Sequence, residues 1–326
     1  MTTDITATEV TLTETAETTE IAEISKKEAR RRFSRIGFAL LVMVVLQQGG
    51  AGALIALVNN IPALAVIDWM PIIVNFLPLY LLALPAVILI LRGLEPMPSA
   101  AEKRRVSAGT VVPLVFVCYA STVAINLAGT LLYGLLAQIK GGEVTNPLTD
   151  FVLGSNPFVM LPFVVLVSPL VEEYIFRGLL FKYLGAFGAK PYMLFSALTF
   201  ALFHANLAQV PYAFILGLVF AGLTYYSGTI KYAVIAHIIV NFFGSAVPIL
   251  MLKIGGEETG IMLAGLAAVL LAGIGIISAL VLLGKRKLLR FSPASLLLPK
   301  GVMIHNAGTI AFILVLSALT ILVLML

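Results

Sequence analysis

The sequence has 326 residues, of which 60% are hydrophobic and 11% are charged, and its formal net charge is +5. Soluble globular domains carry about 25% charged residues, so this composition excludes an ordinary soluble domain. The positive charge is concentrated in a few short clusters, which is typical of membrane-topology signals and not of nucleic-acid binding. The single cysteine, Cys118, excludes a disulfide framework.

The first 35 residues differ in composition from the rest of the chain. Residues 1–25 are rich in Thr and Glu and contain no aromatic side chain, a composition that cannot bury a core and predicts disorder. The basic run KKEARRRFSR follows and would favour the anionic cytoplasmic leaflet. We therefore expect residues 1–35 to form an acidic cytoplasmic tail with a basic juxtamembrane run, and residues 36–326 to form a transmembrane domain.

The remaining sequence consists of apolar blocks long enough to cross a bilayer, which takes about 20 helical residues. This pattern predicts an all-α, polytopic helical membrane protein with about eight or nine transmembrane helices around a central polar cavity. The two blocks around 191–227 are short and separated by little more than Pro211, which predicts a tight hairpin. The predicted spans lie near 37–59, 71–92, 111–138, 157–181, 191–207, 211–227, 231–252, 260–284 and 307–326.

The distribution of Lys and Arg predicts the orientation of these spans. Basic clusters at 26–35, 103–105 and 285–290 fall on one side of the predicted membrane, and the loops on the other side hold few cations. By the positive-inside rule, this asymmetry places the N-terminus in the cytoplasm. We therefore expect an integral, multi-pass protein of the cell membrane.

A small set of polar side chains interrupts the apolar blocks. Of the sixteen Asp and Glu residues, only Glu172 and Glu173 lie within a block, and Arg177 is the most clearly embedded basic residue. His204 and His237 also lie within predicted spans. Burying an ion in hydrocarbon costs about several kcal/mol, so such residues face a cavity and usually carry function.

The spacing of the charged residues assigns them to helical faces. Glu173 and Arg177 are four residues apart, so they share a face and can neutralise each other. Glu172 is rotated by about 100° from Glu173, which leaves it free to point into a different pocket.

Two further pairs have the same four-residue spacing: Phe200 with His204, and His237 with Asn241. At about 1.5 Å per residue, His237, Glu172 and His204 lie roughly 10, 15 and 20 Å from the cytoplasmic ends of their spans. Three separate helices would therefore bring polar side chains to a similar depth, around one water-containing cavity.

The order Glu-Glu-x-x-x-Arg, Phe-x-x-x-His and His-x-x-x-Asn resembles that of the CPBP family. This family includes type II CAAX prenyl proteases and bacteriocin-processing or bacteriocin-immunity proteins, also called Abi proteins. All three motifs are intact and in order within 170–245, each on its own predicted span. The resemblance implies an intramembrane endopeptidase that acts on a membrane-associated or hydrophobic peptide, with a catalytic core at about 157–252.

The resemblance also implies a role for each motif residue. Glu172 and His204 would activate a water molecule, and His237 and Asn241 would stabilise the oxyanion. A carboxylate suits a base that later donates to the leaving amine, and imidazole and amide N–H groups suit an oxyanion site. Three supporting residues complete the set: Glu173, Arg177 and Phe200.

The residue types leave zinc catalysis open. Glu172, His204 and His237 are plausible Zn²⁺ ligands, since two His and one Glu suffice together with water. The sequence lacks the His-Glu-x-x-His signature, and relatives in the family have been described both as metalloproteases and as glutamate proteases. We favour direct glutamate catalysis without a cofactor.

Two other functions stay open at the level of sequence. Carboxylate and His relays are also typical of proton-coupled transporters, although we find no inverted repeat or paired broken helices. A non-catalytic bacteriocin-immunity or interaction protein is the second alternative. The expected partners are a membrane-associated peptide or protein substrate and the lipid bilayer, and no nucleic acid.

Overall fold

A computed structural model describes residues 22–97, 103–141, 155–284, 289, 291 and 294–325. Two-residue strands, β1 (Ala22–Glu23) and β2 (Leu296–Leu297), pair in parallel. All other regular structure in these residues is helical, which confirms the all-α prediction. The helices are α1 (Lys26–Asn60), α2 (Pro62–Ala65), α3 (Met70–Leu91), α4 (Ala108–Lys140), α5 (Pro157–Phe187), α6 (Ala189–Phe203), α7 (Gln209–Ser227), α8 (Lys231–Gly284) and α9 (Ala307–Met325).

Seven helices of the described residues are long and apolar enough to cross a membrane: α1, α3, α4, α5, α7, α8 and α9. Helix α8 has 54 residues and is broken at Gly256, whose φ of 70° is left-handed, so it contains both predicted spans 231–252 and 260–284. Helix α6 has 15 residues, too few to cross a hydrocarbon core of about 30 Å. The nine predicted apolar segments are therefore helical, and the chain is an integral multi-pass membrane protein.

Helix α1 begins at Lys26, ahead of the predicted boundary at residue 36. Ser25 caps it, because the Ser25 hydroxyl accepts a hydrogen bond from the Glu28 N–H at 3.1 Å. The basic run that was assigned to the tail is thus the first part of a helix. The prediction for residues 1–21 lies outside the described residues.

The arginines of this run bind the protein, where the sequence indicated only an attraction to lipid head groups. Arg32 is 2% exposed and donates to the Glu95 carbonyl at 2.6 Å. Arg35 donates to the Ile90 carbonyl at 2.9 Å. The Ile90 carbonyl lies in the last turn of α3, where backbone carbonyls have lost their helical N–H partners, and Glu95 lies four residues beyond this helix. The two arginines therefore fasten α1 to the end of α3 and to the segment that follows it.

The first and last helices pack against each other closely. A Cβ added to Gly37 would overlap the Gly308 backbone, and a Cβ added to Gly308 would overlap the Ser34 carbonyl. The Ser34 hydroxyl accepts from the Gly308 N–H at 3.0 Å. Small residues allow helices in a membrane to approach at their backbones, and here they bring α1 and α9 into contact.

Several described helices contain a π-helical turn, in which the backbone hydrogen bond reaches back five residues. Proline explains three of these turns, because it has no N–H and its ring collides with the carbonyl four residues back. The turns at Leu79–Ala83, Phe163–Val167 and Phe242–Ala246 each end two residues before a proline, which is Pro85, Pro169 and Pro248 respectively. Tyr174–Leu179 forms a further π turn without such a proline.

Helices α6 and α7 form the predicted hairpin, packed side by side. The turn is residues 204–208, and Pro211 lies in the first turn of α7. The Asn206 side-chain oxygen accepts from the backbone N–H groups of Ala208 at 3.0 Å and Gln209 at 3.4 Å. Because α6 is too short to cross the bilayer, this turn lies at membrane depth, where backbone groups must find partners within the protein. Asn206 supplies such a partner.

Candidate active site

The four residues predicted to carry the chemistry line one cavity. This cavity, named here the Glu172 cavity, has a volume of about 350 Å³ and is bounded by α1, α3, α5, α6, α7 and α8. The four candidates on its wall are Glu172, His204, His237 and Asn241, and Phe200 lines it as well. Glu173 and Arg177 lie behind the wall and are fully buried.

Glu172 faces the cavity, and 13% of its side chain is exposed. Its Oε1 accepts a hydrogen bond from the hydroxyl of Ser168, one turn earlier on α5. Its Oε2 lies 3.8 Å from Nε2 of His237. One carboxylate oxygen is therefore held in place, and the other faces the cavity beside an imidazole.

Glu173 points away from Glu172, as the 100° rotation between neighbouring residues requires. Its Oε1 accepts from Arg177 Nη1 at 3.0 Å, so the predicted pair is formed, and from His237 Nδ1 at 2.8 Å. The bond to His237 joins two helices and was not predicted, since the residues are 64 positions apart. Because the Glu173 carboxylate accepts a hydrogen bond from Nδ1–H, it fixes the orientation of the His237 ring, and Nε2 points toward the cavity.

Two aromatic rings enclose the buried guanidinium of Arg177. Its Cζ lies 4.1 Å from the centroid of Phe200 and 5.4 Å from that of Phe220. Within the described residues, Nε and Nη2 of Arg177 have no hydrogen-bond partner. The cation–π attraction to the two rings offsets part of the free-energy cost of burying this charge. Phe220 also stacks on the His237 ring with centroids 5.0 Å apart. Both rings therefore shape the wall that carries His237.

His204 follows directly after the last residue of α6, at the start of the hairpin turn. Its Nδ1 lies 2.9 Å from the Phe200 carbonyl oxygen. A carbonyl only accepts, so Nδ1 carries the proton, and Nε2 of the neutral ring has a free lone pair. This is the tautomer that a general base or a metal ligand needs.

The position of Asn241 follows from a proline on the neighbouring helix. The Ser168 N–H donates five residues back to the Phe163 carbonyl. The next carbonyl in this register, that of Val164, faces Pro169, which has no N–H to donate. Asn241 Nδ2 fills this place and donates to the Val164 carbonyl at 2.9 Å. Among the described residues the second amide hydrogen has no partner, so it can donate to a ligand.

Sequence reasoning missed several polar residues of the cavity wall. Ser168 precedes Glu172 by four residues and Ser245 follows Asn241 by four, so a search one helical turn from each embedded polar residue would have found both. The other missed residues are single polar positions in apolar helices, which no motif marks. The missed set is Gln47, Gln48, Asn75, Ser168, Gln209, Tyr212 and Ser245.

The possible zinc ligands line one cavity but are not grouped closely enough to form a metal site. In the part of the chain that the structure describes, no three His, Cys, Asp or Glu side chains are grouped so as to hold a metal ion. The set considered from the sequence, Glu172, His204 and His237, is therefore not assembled as a ligand group, and we derive no step through a metal.

Comparison with known families identifies the segment that holds this site. The sequence model of the type II CAAX prenyl endopeptidase Rce1-like family matches residues 154–243. All seven motif residues lie within the match. Residues 154–243 are thus similar to this family of membrane endopeptidases, in agreement with the resemblance to the CPBP family. The matched residues, named here the CPBP segment, comprise α5, α6, α7 and the first part of α8. Glu172 lies on α5, His204 directly follows α6, and His237 and Asn241 lie on α8.

One curated relative gives a similar result. The membrane-embedded CAAX protease MroQ of Staphylococcus aureus (strain USA300) is 29% identical over 118 residues, which are 33% of this chain and 48% of MroQ. The chain thus spans about half the length of the curated relative it matches. No solved structure gives a significant match.

Proposed function

We propose that this chain is an intramembrane endopeptidase that hydrolyses a peptide bond in a membrane-associated or hydrophobic peptide or protein. One observation carries the proposal: Glu172, His204, His237 and Asn241 converge on one cavity within a segment of a protease family. Their donors and acceptors divide into a group that suits water activation and a group that suits an oxyanion.

Glu172 and His204 activate the water in this proposal. Oε2 of Glu172, which faces the cavity, and the unprotonated Nε2 of His204 are the acceptors available for the protons of water. The bond from Ser168 holds Glu172 in one orientation. After the attack, the proton taken from water passes to the leaving amine, so the same groups act first as base and then as acid.

His237 and Asn241 stabilise the developing negative charge. Asn241 uses its second amide hydrogen, because the first is bound to Val164. His237 donates from Nε2 in the doubly protonated form, since its Nδ1–H is held by Glu173. Removing one oxyanion donor of this kind typically lowers kcat by about 100-fold or more.

The proposed reaction needs no cofactor, because water is the nucleophile and protein groups supply both the base and the oxyanion donors. Turnover that persists in strong chelators is the expected result. Loss of turnover in chelators with recovery on Zn²⁺ addition would contradict this part of the proposal.

We also propose that the protein lies in the cell membrane with its N-terminus on the cytoplasmic side, because the basic clusters of the sequence follow the positive-inside rule.

The test uses the full chain purified in detergent and a library of fluorogenic membrane peptides. Wild type is compared with Glu172→Gln and with the matched control Glu258→Gln, whose exposed side chain lies on α8 outside the Glu172 cavity. We expect kcat to fall by about 1000-fold in Glu172→Gln and to stay unchanged in the control. Absence of turnover by wild type across the library, or a Glu172-dependent proton flux in liposomes without cleavage, would overturn the proposal.

A further inference from the structure

A second cavity adjoins the Glu172 cavity. It has a volume of about 460 Å³, and helix α4 forms one of its walls, so it is named here the α4 cavity. Both cavities are lined by Asn241 and by four further residues, Gln209, Tyr212, Leu216 and Ser245. A ligand in the α4 cavity therefore lies beside a residue proposed to bind the oxyanion.

The wall that α4 contributes is polar. Thr122, Asn126 and Thr130 follow one another at four-residue intervals, so they lie on one helical face, and all three line the cavity. They stand in the interior of a 33-residue helix that is apolar enough to span the membrane. Polar side chains at membrane depth usually face a cavity and serve a polar ligand. The peptidase reaction proposed above assigns no role to these three residues.

The hydrogen-bonding capacity of this stripe is complementary to a peptide backbone. The hydroxyls of Thr122 and Thr130 donate to carbonyls of their own helix, those of Cys118 and Asn126, each at 3.0 Å. Their lone pairs remain as acceptors for N–H groups, and the Asn126 amide offers both donors and an acceptor. The stripe therefore presents acceptors at Thr122 and Thr130, and between them the Asn126 amide, which can both donate and accept.

The length of the stripe also fits a short extended peptide. Thr122 and Thr130 are eight helical residues apart, which is about 12 Å along α4. An extended strand rises about 3.3 Å per residue, so three to four substrate residues would cover this distance.

We propose that the α4 cavity binds the polypeptide segment of the substrate next to the scissile bond, in an extended conformation and through its main chain. This inference rests on the proposed peptidase function. An extended segment within the bilayer cannot satisfy its own amide groups, and Thr122, Asn126 and Thr130 supply the partners. A lipid or prenyl chain offers no hydrogen-bond partner to the Asn126 amide or to the remaining threonine lone pairs, so the chemistry of the wall favours a peptide.

The test starts from a peptide that wild type cleaves and shortens it stepwise from each end. The α4 variants are Asn126→Leu and the double variant Thr122→Val/Thr130→Val. The matched control for the threonines is Thr320→Val on α9, whose hydroxyl donates to the Leu316 carbonyl at 2.8 Å, outside both cavities. The control for Asn126 is Asn60→Leu at the end of α1.

We expect the α4 variants to raise KM for the full-length peptide about 10-fold and to retain kcat, while the controls match wild type. Peptides too short to reach α4 should give the same KM with all variants, which also shows that the variants are folded. An unchanged KM for the full-length peptide in both α4 variants would overturn this inference and leave the proposed function intact. Absence of turnover by wild type would instead overturn the proposed function.

A second measurement does not depend on turnover. Cys118 is the single cysteine of the chain and is fully buried, so an introduced cysteine is the accessible thiol. The same peptide carrying a bromoacetyl group should alkylate Asn126→Cys faster than Leu127→Cys, whose position is 64% exposed on another face of α4. Glu172→Gln is included in both proteins to prevent cleavage. Equal rates of alkylation at the two positions would count against the inference.

Discussion

Glu172 and Glu173 are neighbours in the sequence, yet they have different surroundings. Glu172 faces the cavity and is held by Ser168, whereas Glu173 is buried and binds Arg177 and His237. A buried charge is tolerated when it is paired and hydrogen-bonded, and Glu173 satisfies that condition while Glu172 stays available. Glu173 thus orients His237, whereas Glu172 is the carboxylate proposed to take part in the reaction.

Ser168 is expected to matter through the orientation of Glu172. In Ser168→Ala the carboxylate loses the hydroxyl that holds Oε1, so we predict that kcat falls about 10-fold with KM little changed. The matched control is Ser121→Ala, because the Ser121 hydroxyl donates to its own helix at the Val117 carbonyl and lines neither cavity. Steady-state kinetics on one peptide compares them, and equal losses in both variants would contradict the assigned role.

At the scale of single elements, proline determines where the helices can bond to one another. Pro169 leaves the Val164 carbonyl without a backbone donor, and the side-chain amide of Asn241 on α8 donates a hydrogen bond to this carbonyl instead. The π turn that precedes Pro169 is one of three with this placement relative to proline. A carbonyl of α5 that lacks a backbone donor is therefore hydrogen-bonded by a side chain of α8, directly at the Glu172 cavity.

Restoring the missing N–H should release Asn241. In Pro169→Ala the new backbone N–H competes for the carbonyls of the π turn, so we predict a fall in kcat of about 10-fold and no loss of thermal stability. The control Pro85→Ala makes the same change after the π turn of α3, where no candidate residue depends on it. If both variants keep wild-type kcat, the link between Pro169 and Asn241 is wrong.

The α6–α7 hairpin positions His204 at the end of a short helix. Removing the Asn206 side chain leaves the N–H groups of Ala208 and Gln209 without this acceptor. We predict that Asn206→Ala lowers the free energy of unfolding by about 1 kcal/mol and also lowers kcat, since the turn begins at His204.

Asn306 offers a matched control for that experiment. Its side-chain oxygen accepts from the Thr309 N–H at 2.9 Å at the start of α9, and Asn306 does not line the Glu172 cavity. Asn306→Ala should lose a similar amount of stability and keep the kcat of the folded protein. A fall in kcat of equal size in both variants would show that the Asn206 effect is only general destabilisation.

The sequence was sufficient to predict the helices themselves, because twenty-residue apolar blocks are a strong and local signal. It also predicted the Glu173–Arg177 pair, which depends only on four-residue spacing. The bond from His237 to Glu173 and that from Asn241 to Val164 were not predictable, since each joins residues far apart in the chain. Tertiary packing, and not spacing, decides such contacts.

At the scale of the whole molecule, the first and the last of the described membrane-spanning helices meet. Helix α1 contacts α9 through Gly37 and Gly308, and α1 also contributes Gln47 and Gln48 to the cavity wall. Helices outside the CPBP segment therefore complete the cavity that the segment begins. The sequence indicated a functional core at 157–252 and gave no indication that α1, α3 and α4 contribute polar groups, because those residues belong to no motif.

A larger residue at the meeting point of α1 and α9 should separate the two helices. In Gly308→Ala the new Cβ overlaps the Ser34 carbonyl, and overpacking of this kind typically destabilises by about 1–3 kcal/mol. We predict a lower Tm in detergent, measured by the monodisperse fraction that survives heating.

Gly134→Ala on α4 is the control for this experiment. Nothing lies within 4 Å of the Cβ that it would introduce, and alanine favours a helix over glycine. Its Tm should equal or exceed that of wild type. A Tm for Gly308→Ala equal to that of Gly134→Ala would contradict the close packing of α1 and α9.

The central claim is that groups from separate helices act together on one water and one peptide bond in the Glu172 cavity. The most direct test measures kcat/KM of Glu172→Gln, His204→Gln and the double variant on one cleaved peptide. If the two residues act as a unit, each single variant loses about 1000-fold, and the double variant loses little more than the worse single variant. Losses that multiply to about a million-fold would show that the two side chains act independently, contrary to this account.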